Sequence, residues 1–309
     1  MSWTGKKVAV TGAAGFLGSH LCEALVAKGT EVVALDNFNV GPASNIEGLK
    51  DKMQIVACDI TKDDIRGYLK DSQIVFHLAS LANPRSCSEN FDLAFGVNLV
   101  GTKNVLDAST NCERAIFMSA AANYGDPSYI PIDEKHPLNA TDPYAITKIM
   151  AEYLCKNYFQ NYGVPVVIAR NFSTFGPRQT PAYIIPTLIT QALQQERIEI
   201  WNPKPTRDFM YVDNTIDALL RIAECEELTG DVVNIGSGDE IQIGALAEKV
   251  SQMFGGIPVV NLNKEVLGSK RLVCDNTKLK KVTGWKLNVS FEDGIQKTCD
   301  WFRQASLEQ

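Results

Sequence analysis

The chain has 309 residues, 45% of them hydrophobic, with 36 acidic against 30 basic side chains and a net charge of −6. That length fills one large core with a lobe or two ordinary domains, and an acid excess without a basic block excludes the electrostatic footprint of a nucleic-acid binder. No apolar run approaches the roughly 18 residues that a membrane span needs, and the N-terminus enters a strand too soon to leave room for a signal peptide, so a cytoplasmic protein with no membrane partner is expected.

The first predicted strand, Lys7–Thr11, leads into Gly12-Ala13-Ala14-Gly15-Phe16-Leu17-Gly18, a G-x-x-G-x-x-G turn opening a helix over Phe16–Lys28. Glycines are needed where a backbone turns tightly, approaches a pyrophosphate and packs helix against strand. The helix N-terminus then offers the phosphates free N–H groups and a positive dipole. A second strand, Glu31–Asp36, ends 24 residues after Gly12 in a carboxylate. Placed there, Asp36 would accept hydrogen bonds from ribose hydroxyls and repel a 2′-phosphate, which selects NAD over NADP. Asp59 follows the third strand, Gln54–Cys58, and could bond the adenine amino group; a turn role is the alternative.

Further strands are predicted at Ile74–Leu78, Ala115–Ser119 and Val166–Arg170, with helices over Phe91–Ser109 and Tyr144–Tyr162. Continuous apolar strands alternating with helices imply a parallel, doubly wound α/β sheet of Rossmann type, covered on both faces. After residue 172, prolines at 177, 181, 186, 203 and 205 break the rhythm and point to a smaller lobe. The division expected is 1–172 for the dinucleotide and 173–309 mainly for a substrate, with the chain free to cross between them. The eight cysteines are scattered without a Cys-x-x-Cys pair, and His20, His77 and His136 stand apart, so reduced thiols, structural histidines and no metal site are expected.

Tyr144 and Lys148 form Y-x-x-x-K behind Pro143, which suits a first helical turn. The two side chains then share one face at i, i+4. A phenol with its pKa near ~10 is a poor base, but an ammonium one turn away and a cationic nicotinamide favour the phenolate. Tyr144 is thereby a candidate general base for a hydroxyl proton.

Together with the Gly-rich turn and Asp36, this pair resembles the extended short-chain dehydrogenase/reductase family, in particular its nucleotide-sugar epimerases and dehydratases. The likeness covers nearly the whole chain. It includes Val75-Phe76-His77-Leu78-Ala79-Ser80, Asn98-Leu99-Val100-Gly101-Thr102, Asn123-Tyr124-Gly125-Asp126, Arg170 to Arg178, Arg207-Asp208-Phe209 and Gly284-Trp285. It implies NAD as cofactor, a nucleotide-diphosphate sugar as substrate with a UDP-sugar favoured, and a two-fold homodimer built on Phe91–Ser109 and Tyr144–Tyr162. The resemblance adds Phe16, Leu17, Asn37, Ile60 and Leu78 to the residues holding the cofactor, followed by Ala79, Ser80, Asn98 and Phe172. Trp201 is matched to an aromatic against the nucleotide base, where stacking is worth ~1–3 kcal/mol; a core-packed Trp is the alternative. Arg207 and Arg271 match arginines that grip a diphosphate, with surface salt bridges as the alternative. Ser173 stands where the family usually has Asn, and Arg85 is a candidate for the sugar end.

One position departs from the pattern. The family places a Ser or Thr where this chain has Ala120, so either Ser119 supplies the hydroxyl, or the site works without one, or the residue has been replaced. Family members that eliminate water carry Asp-Glu at the next two positions, and decarboxylating members carry a Glu; here stand Ala121 and Ala122. With no carboxylate offered, 4-epimerisation through a transient 4-keto sugar is the expected reaction. The alternatives are decarboxylation, dehydration or keto-sugar reduction on the same cofactor, and a non-catalytic NAD-binding sensor.

Overall fold

The computed structural model describes residues 2–194, 196–265 and 269–307. Among them a seven-stranded parallel sheet forms the centre of the molecule. Its strands are β1 (Lys7–Thr11), β2 (Glu31–Asp36), β3 (Gln54–Ala57), β4 (Ile74–His77), β5 (Arg114–Ala120), β6 (Val166–Asn171) and β11 (Val232–Ile235), in the spatial order β11-β6-β5-β4-β1-β2-β3. Successive residues of each strand enter different cores. Val8, Val10, Ile116 and Met118 join one apolar cluster, whereas Ala9, Ala115 and Phe117 join another. That alternation buries both faces, which is why the strands read as unbroken apolar runs.

The first six strands lie within one residue of their predicted limits at each end. The seventh comes from the second half of the chain, where short strands are expected without defined limits, and pairs with β6 in the register Val232↔Ile168.

The helices, in chain order, are α1 (Phe16–Ala27), the single turns α2 (Ser44–Glu47) and α3 (Arg66–Leu69), α4 (Pro84–Glu89), α5 (Phe91–Phe95), α6 (Thr102–Ala108) and α7 (Pro143–Tyr162). A π-helical segment, Gly96–Gly101, joins α5 to α6 and interrupts the single helix that periodicity predicts over Phe91–Ser109. Beyond β6 come α8 (Ile184–Gln194), α9 (Val212–Glu224), α10 (Ile243–Met253), α11 (Thr277–Thr283) and α12 (Phe291–Leu307), interleaved with short strands. Two of these strands, β7 (Ser173–Phe175) and β10 (Phe209–Tyr211), pair with each other, as do β8 (Ile198–Ile200) and β13 (Val259–Asn261). In another small sheet β9 (Thr206–Arg207) lies between β12 (Ile241–Gln242) and β14 (Arg271–Leu272). None of the described helices is long and apolar enough to cross a membrane.

Candidate active site

The carboxyl ends of β1, β2 and β4 meet at the Gly-rich turn, and three glycines there have separate reasons. Gly12 takes φ +70°, and a Cβ on it would lie 2.7 Å from the Ala79 backbone nitrogen. A Cβ on Gly18 would lie 2.0 Å from Gly12 O, so only glycine lets α1 settle on the turn. Gly15 caps α1 without a side chain, and a Cβ there would meet Gly12 O at 3.1 Å. The first helical bond runs from Ser19 N to Gly15 O at 3.0 Å. The N–H groups of Phe16, Leu17 and Gly18 precede it and are available to an anion.

Asp36 closes the same turn from β2. Its carboxylate accepts from Ala14 N at 2.9 Å and Phe38 N at 2.7 Å. Burial pushes its pKa up, and these N–H donors pull against that shift. The bonds use part of its lone-pair capacity and fix the carboxylate at the lip of the turn. The loop after β2 folds over this point: Asn45 Nδ2 donates to Ala14 O at 2.8 Å, and a Cβ on Gly41 would lie 2.2 Å from that oxygen. Sequence reasoning passed over this contact, for which Gly41 was the available signal. Asn37 is exposed and accepts from Asn39 N in its own turn. Asp59 likewise accepts from Thr61 N and Oγ1 at 2.9 and 2.6 Å, the cause that holds its pKa below the ordinary value. Ile60 is buried, and a Cβ on Gly101 of the π segment would meet its side chain. In this structure Asp59 and Ile60 hold their own turn and packing.

At the end of β4, Leu78 N donates to Thr11 O, which brings Leu78, Ala79 and Ser80 alongside the turn. His77 is buried between Thr11 Oγ1 (2.7 Å from Nδ1) and Thr102 Oγ1 (2.9 Å from Nε2). Thr102 spends its proton on Asn98 O, so His77 Nε2–H donates to Thr102 and Nδ1 accepts from Thr11. Burial and the nearby Lys148 push the imidazole down to about 3, which keeps it neutral. Asn98 lies in the π segment. Its Oδ1 accepts from Ser80 Oγ and Leu81 N, while its Nδ2 donates to Leu81 O and Thr147 Oγ1. Asn98, expected to hold the cofactor, ties the loop after β4 to the helix carrying Tyr144 through its amide.

That helix is α7, capped by Asp142, whose side chain accepts from Ala145 N at 2.9 Å. Tyr144 and Lys148 lie one turn apart, the ammonium nitrogen 5.9 Å from the centre of the Tyr144 ring and 5.0 Å from that of Phe117. Lys148 Nζ donates to Met118 O on β5 at 2.8 Å. Burial pushes the Tyr144 phenol far above its ordinary value and Lys148 down to about 8, because each charged form loses water.

Ser119 is corrected from a candidate sugar ligand. Its hydroxyl donates to Glu152 Oε1 at 2.6 Å and accepts from Asn123 Nδ2 at 3.0 Å, inside the protein. Ala120 keeps extended backbone and ends β5, so its side chain takes the other face. Ala121 lies with Tyr124, Ile132, Phe172 and Cys274 in a small apolar cluster. Phe172, expected at the cofactor, is buried there.

On the substrate side, Trp201 is 59% exposed and carries Lys264 Nζ over its ring at 5.7 Å, which discards the core-packing alternative. Arg207 is half-buried with its pKa lowered by burial, donates to Thr206 O, and pairs with no carboxylate among the described residues. Arg271 differs: it makes a two-pronged ion pair with Glu240, both bonds 2.6 Å, which draws that carboxyl down to about 2. Arg271 is opposite Thr206, whereas Leu272 is opposite Arg207. The two arginines therefore take opposite faces of the small sheet and are not brought together. Arg85, also expected at the sugar, is an exposed partner of Glu89 on α4. Ser173 sits half-buried on β7, its N–H donating to Asp208 O. The sequence motif contained Asp208 without a role for it. Its buried carboxylate accepts from Ser237 N and Oγ, Gly238 N and Cys274 N, and so locks the strand carrying Arg207 to two loops.

A model of the NAD dependent epimerase/dehydratase family matches residues 8–236. The UDP-N-acetyl-alpha-D-glucosaminuronate decarboxylase of Bacillus cytotoxicus is 33% identical over 97% of this chain and 98% of its own. The UDP-glucose 4-epimerase of Mycolicibacterium smegmatis is 30% identical over 96% and 98%. Among solved structures, the UDP-glucuronic acid 4-epimerase of Bacillus cereus in complex with UDP-glucuronic acid and NAD superposes with a TM-score of 0.91, at 30% identity over 97% of this chain and 99% of that one.

Proposed function

We propose, for a chain that belongs to the NAD-dependent epimerase/dehydratase family, the reversible 4-epimerisation of a nucleotide-diphosphate sugar, with a UDP-sugar favoured. NAD is the cofactor, and the turn of Gly12, Gly15 and Gly18 beside the Asp36 carboxylate fits a dinucleotide, since the absence of a Cβ at Gly12 and Gly18 lets the turn close on the Ala79 backbone and on Gly12 O and presents the N–H groups of Phe16, Leu17 and Gly18 to a pyrophosphate. The observation that carries the reaction is the run of three alanines, Ala120 to Ala122, that ends and follows the strand tied to Lys148. Loss of water or of carbon dioxide calls for acid–base groups at the sugar beyond the tyrosine, and this run supplies none. A base that takes and returns one hydroxyl proton is enough for epimerisation.

Bound NAD would supply the acceptor and later the donor of the hydride that leaves and returns to the sugar. Tyr144 takes the C4 hydroxyl proton, and the Lys148 ammonium favours the phenolate that does so. Arg207, which pairs with no acid among the described residues, neutralises the diphosphate, and Trp201 offers an exposed face to the base. Cofactor binding falls mainly to residues 1–172 and substrate binding mainly to 173–309. The UDP preference is supported by the relatives, whose names specify UDP-sugars. We also infer a two-fold homodimer through α5–α6 and α7, where Phe91, Leu93 and Val100 on one side and Ile146, Met150 and Tyr153 on the other are exposed apolar side chains.

The test is mass spectrometry of co-purifying ligands, followed by a panel of UDP-, GDP-, CDP- and dTDP-sugars. Epimerisation yields a product of unchanged mass. A product lighter by water or by carbon dioxide would replace this reading with dehydration or decarboxylation.

A further inference from the structure

Behind the base couple lies a buried charged cluster for which the proposed reaction gives no role. Glu152 follows Lys148 by one turn of α7 and is 1% exposed. Its Oε1 accepts from Ser119 Oγ at 2.6 Å, Asn123 Nδ2 at 2.8 Å and Arg170 Nε at 2.8 Å, and its Oε2 accepts from Arg170 Nη2 at 2.6 Å. Arg170 Nη1 donates to the Tyr124 hydroxyl at 3.0 Å, which donates to Asn234 Oδ1 at 2.6 Å. The network thus spans α7, β5, β6 and β11. A buried ion pair is weak evidence for stability alone, because desolvation offsets most of its attraction.

The position of this pair is specific. Lys148 donates to Met118 O, and the next residue, Ser119, donates to Glu152. Two consecutive residues of β5 are therefore tied to two consecutive turns of α7, immediately before Ala120. The titratable groups facing Lys148 are Tyr144, Glu152 and Cys155 on its own helix, Cys87 from α4 and His77 from β4. His77 is neutral, and burial pushes both thiols up, which keeps them protonated. Glu152, paired with Arg170, is the carboxylate left among them, and it favours the ammonium against burial, the main cause of the lowered Lys148 pKa.

We propose that Glu152 is a positioning residue for the reaction: its carboxylate is the counter-charge of Lys148 and the clamp that sets the end of β5 against Tyr144. This rests on reading Tyr144 and Lys148 as the base couple. In Glu152→Gln the carboxylate is gone and Arg170 is left as an unpaired cation, both of which disfavour the ammonium.

The experiment follows Lys148 directly, through the 13Cε NMR signal of lysine-labelled free protein, assigned by its loss in Lys148→Met. The wild-type midpoint is expected at about 8. In Glu152→Gln it should fall by about one pH unit or more, tenfold in the ionisation constant. The alkaline limb of kcat should move down with it while KM for the sugar nucleotide holds. The double variant Glu152→Gln/Arg170→Met removes both charges, avoids the unpaired cation if the single variant does not fold, and should show a smaller fall. An unchanged midpoint in the variant that folds overturns the proposal. Failure of the underlying reading looks different: Tyr144→Phe and Lys148→Met would then keep wild-type kcat, whatever Lys148 does in the Glu152 variants.

Discussion

Tyr144 sits half-buried at the start of α7, with burial pushing its phenol well above the ordinary value. Only a positive neighbourhood can then make it a base, and Lys148 is the residue one turn away. Tyr144→Phe should lower kcat by ~10²-fold or more, the range of a lost general base, with NAD affinity and melting temperature nearly unchanged; retained turnover would remove Tyr144 from the base role. The neighbouring pair Ser119 and Ala120 gives a sharper contrast. Ala120→Ser places a donor on the face away from the Glu152 network, and one good hydrogen bond to the reacting oxygen, ~1.4 kcal/mol, gives about tenfold in kcat. Ser119→Ala instead removes one donor from a buried carboxylate that keeps its bonds to Asn123 and Arg170. It should cost ~1–3 kcal/mol of stability in denaturant melts and lower kcat far less than Tyr144→Phe does, through the loosened end of β5.

At the scale of elements, the turn between β1 and α1 is held by backbone contact, so added carbon is poorly tolerated. A Cβ on Gly18 would sit 2.0 Å from Gly12 O, and neither partner is a flexible side chain. Gly18→Ala should therefore push α1 off the turn, cost ~1–3 kcal/mol or more and weaken NAD binding together with stability. Gly48 is the control: it has φ −63°, and a Cβ there meets nothing within 4 Å. Gly48→Ala should be neutral or stabilising by ~0.4–1 kcal/mol. Thermal melts with and without NAD separate the two, and equal behaviour would show that the close approach at Gly18 is not what holds the turn. The π segment has a comparable positioning role, since the interruption of the helix brings Asn98 to both the loop after β4 and Thr147 of α7.

For the molecule as a whole, burial of Lys148 ties stability and activity to pH with opposite signs. Its pKa drops from the ordinary 10.5 to about 8 in the folded chain. Below about 8 both folded and unfolded states hold the proton and the burial penalty is fully present; between about 8 and 10.5 the unfolded chain binds more protons, so unfolding free energy rises with pH. Tyr144 opposes this only above its ordinary value of 10.0. Turnover needs the ammonium and should fall as pH rises through about 8, over the range in which Lys148 ceases to destabilise the fold. Denaturant melts and kcat recorded across that window check both signs, and a parallel decline would show that Lys148 does not control the profile. The exposed apolar side chains of α5–α6 and α7 predict a dimer by light scattering at micromolar concentration; a monomer there would leave Tyr153, 65% exposed, without the partner proposed for it.

What the sequence by itself determined was local. Six sheet strands could be read because strands covered on both faces are unbroken apolar runs. The Gly-rich turn, Asp36 and the Y-x-x-x-K pair could be read because each depends on a short spacing along one strand or helix. What only the tertiary structure decided depended on pairing between distant segments. Val232–Ile235 is a short apolar run like others in the second half, and its place beside β6 is set by register with a strand more than 60 residues earlier. Arg207 and Arg271 looked equivalent as isolated arginines, but a one-residue offset across β9 and β14 sends them to opposite faces and gives Arg271 to Glu240. Ser119 looked like a substitute for the missing hydroxyl until Glu152, 33 residues further on, came to rest against it. A side chain's face follows from alternation along its own strand, whereas its partner is whatever the fold packs opposite, and that cannot be read one segment at a time.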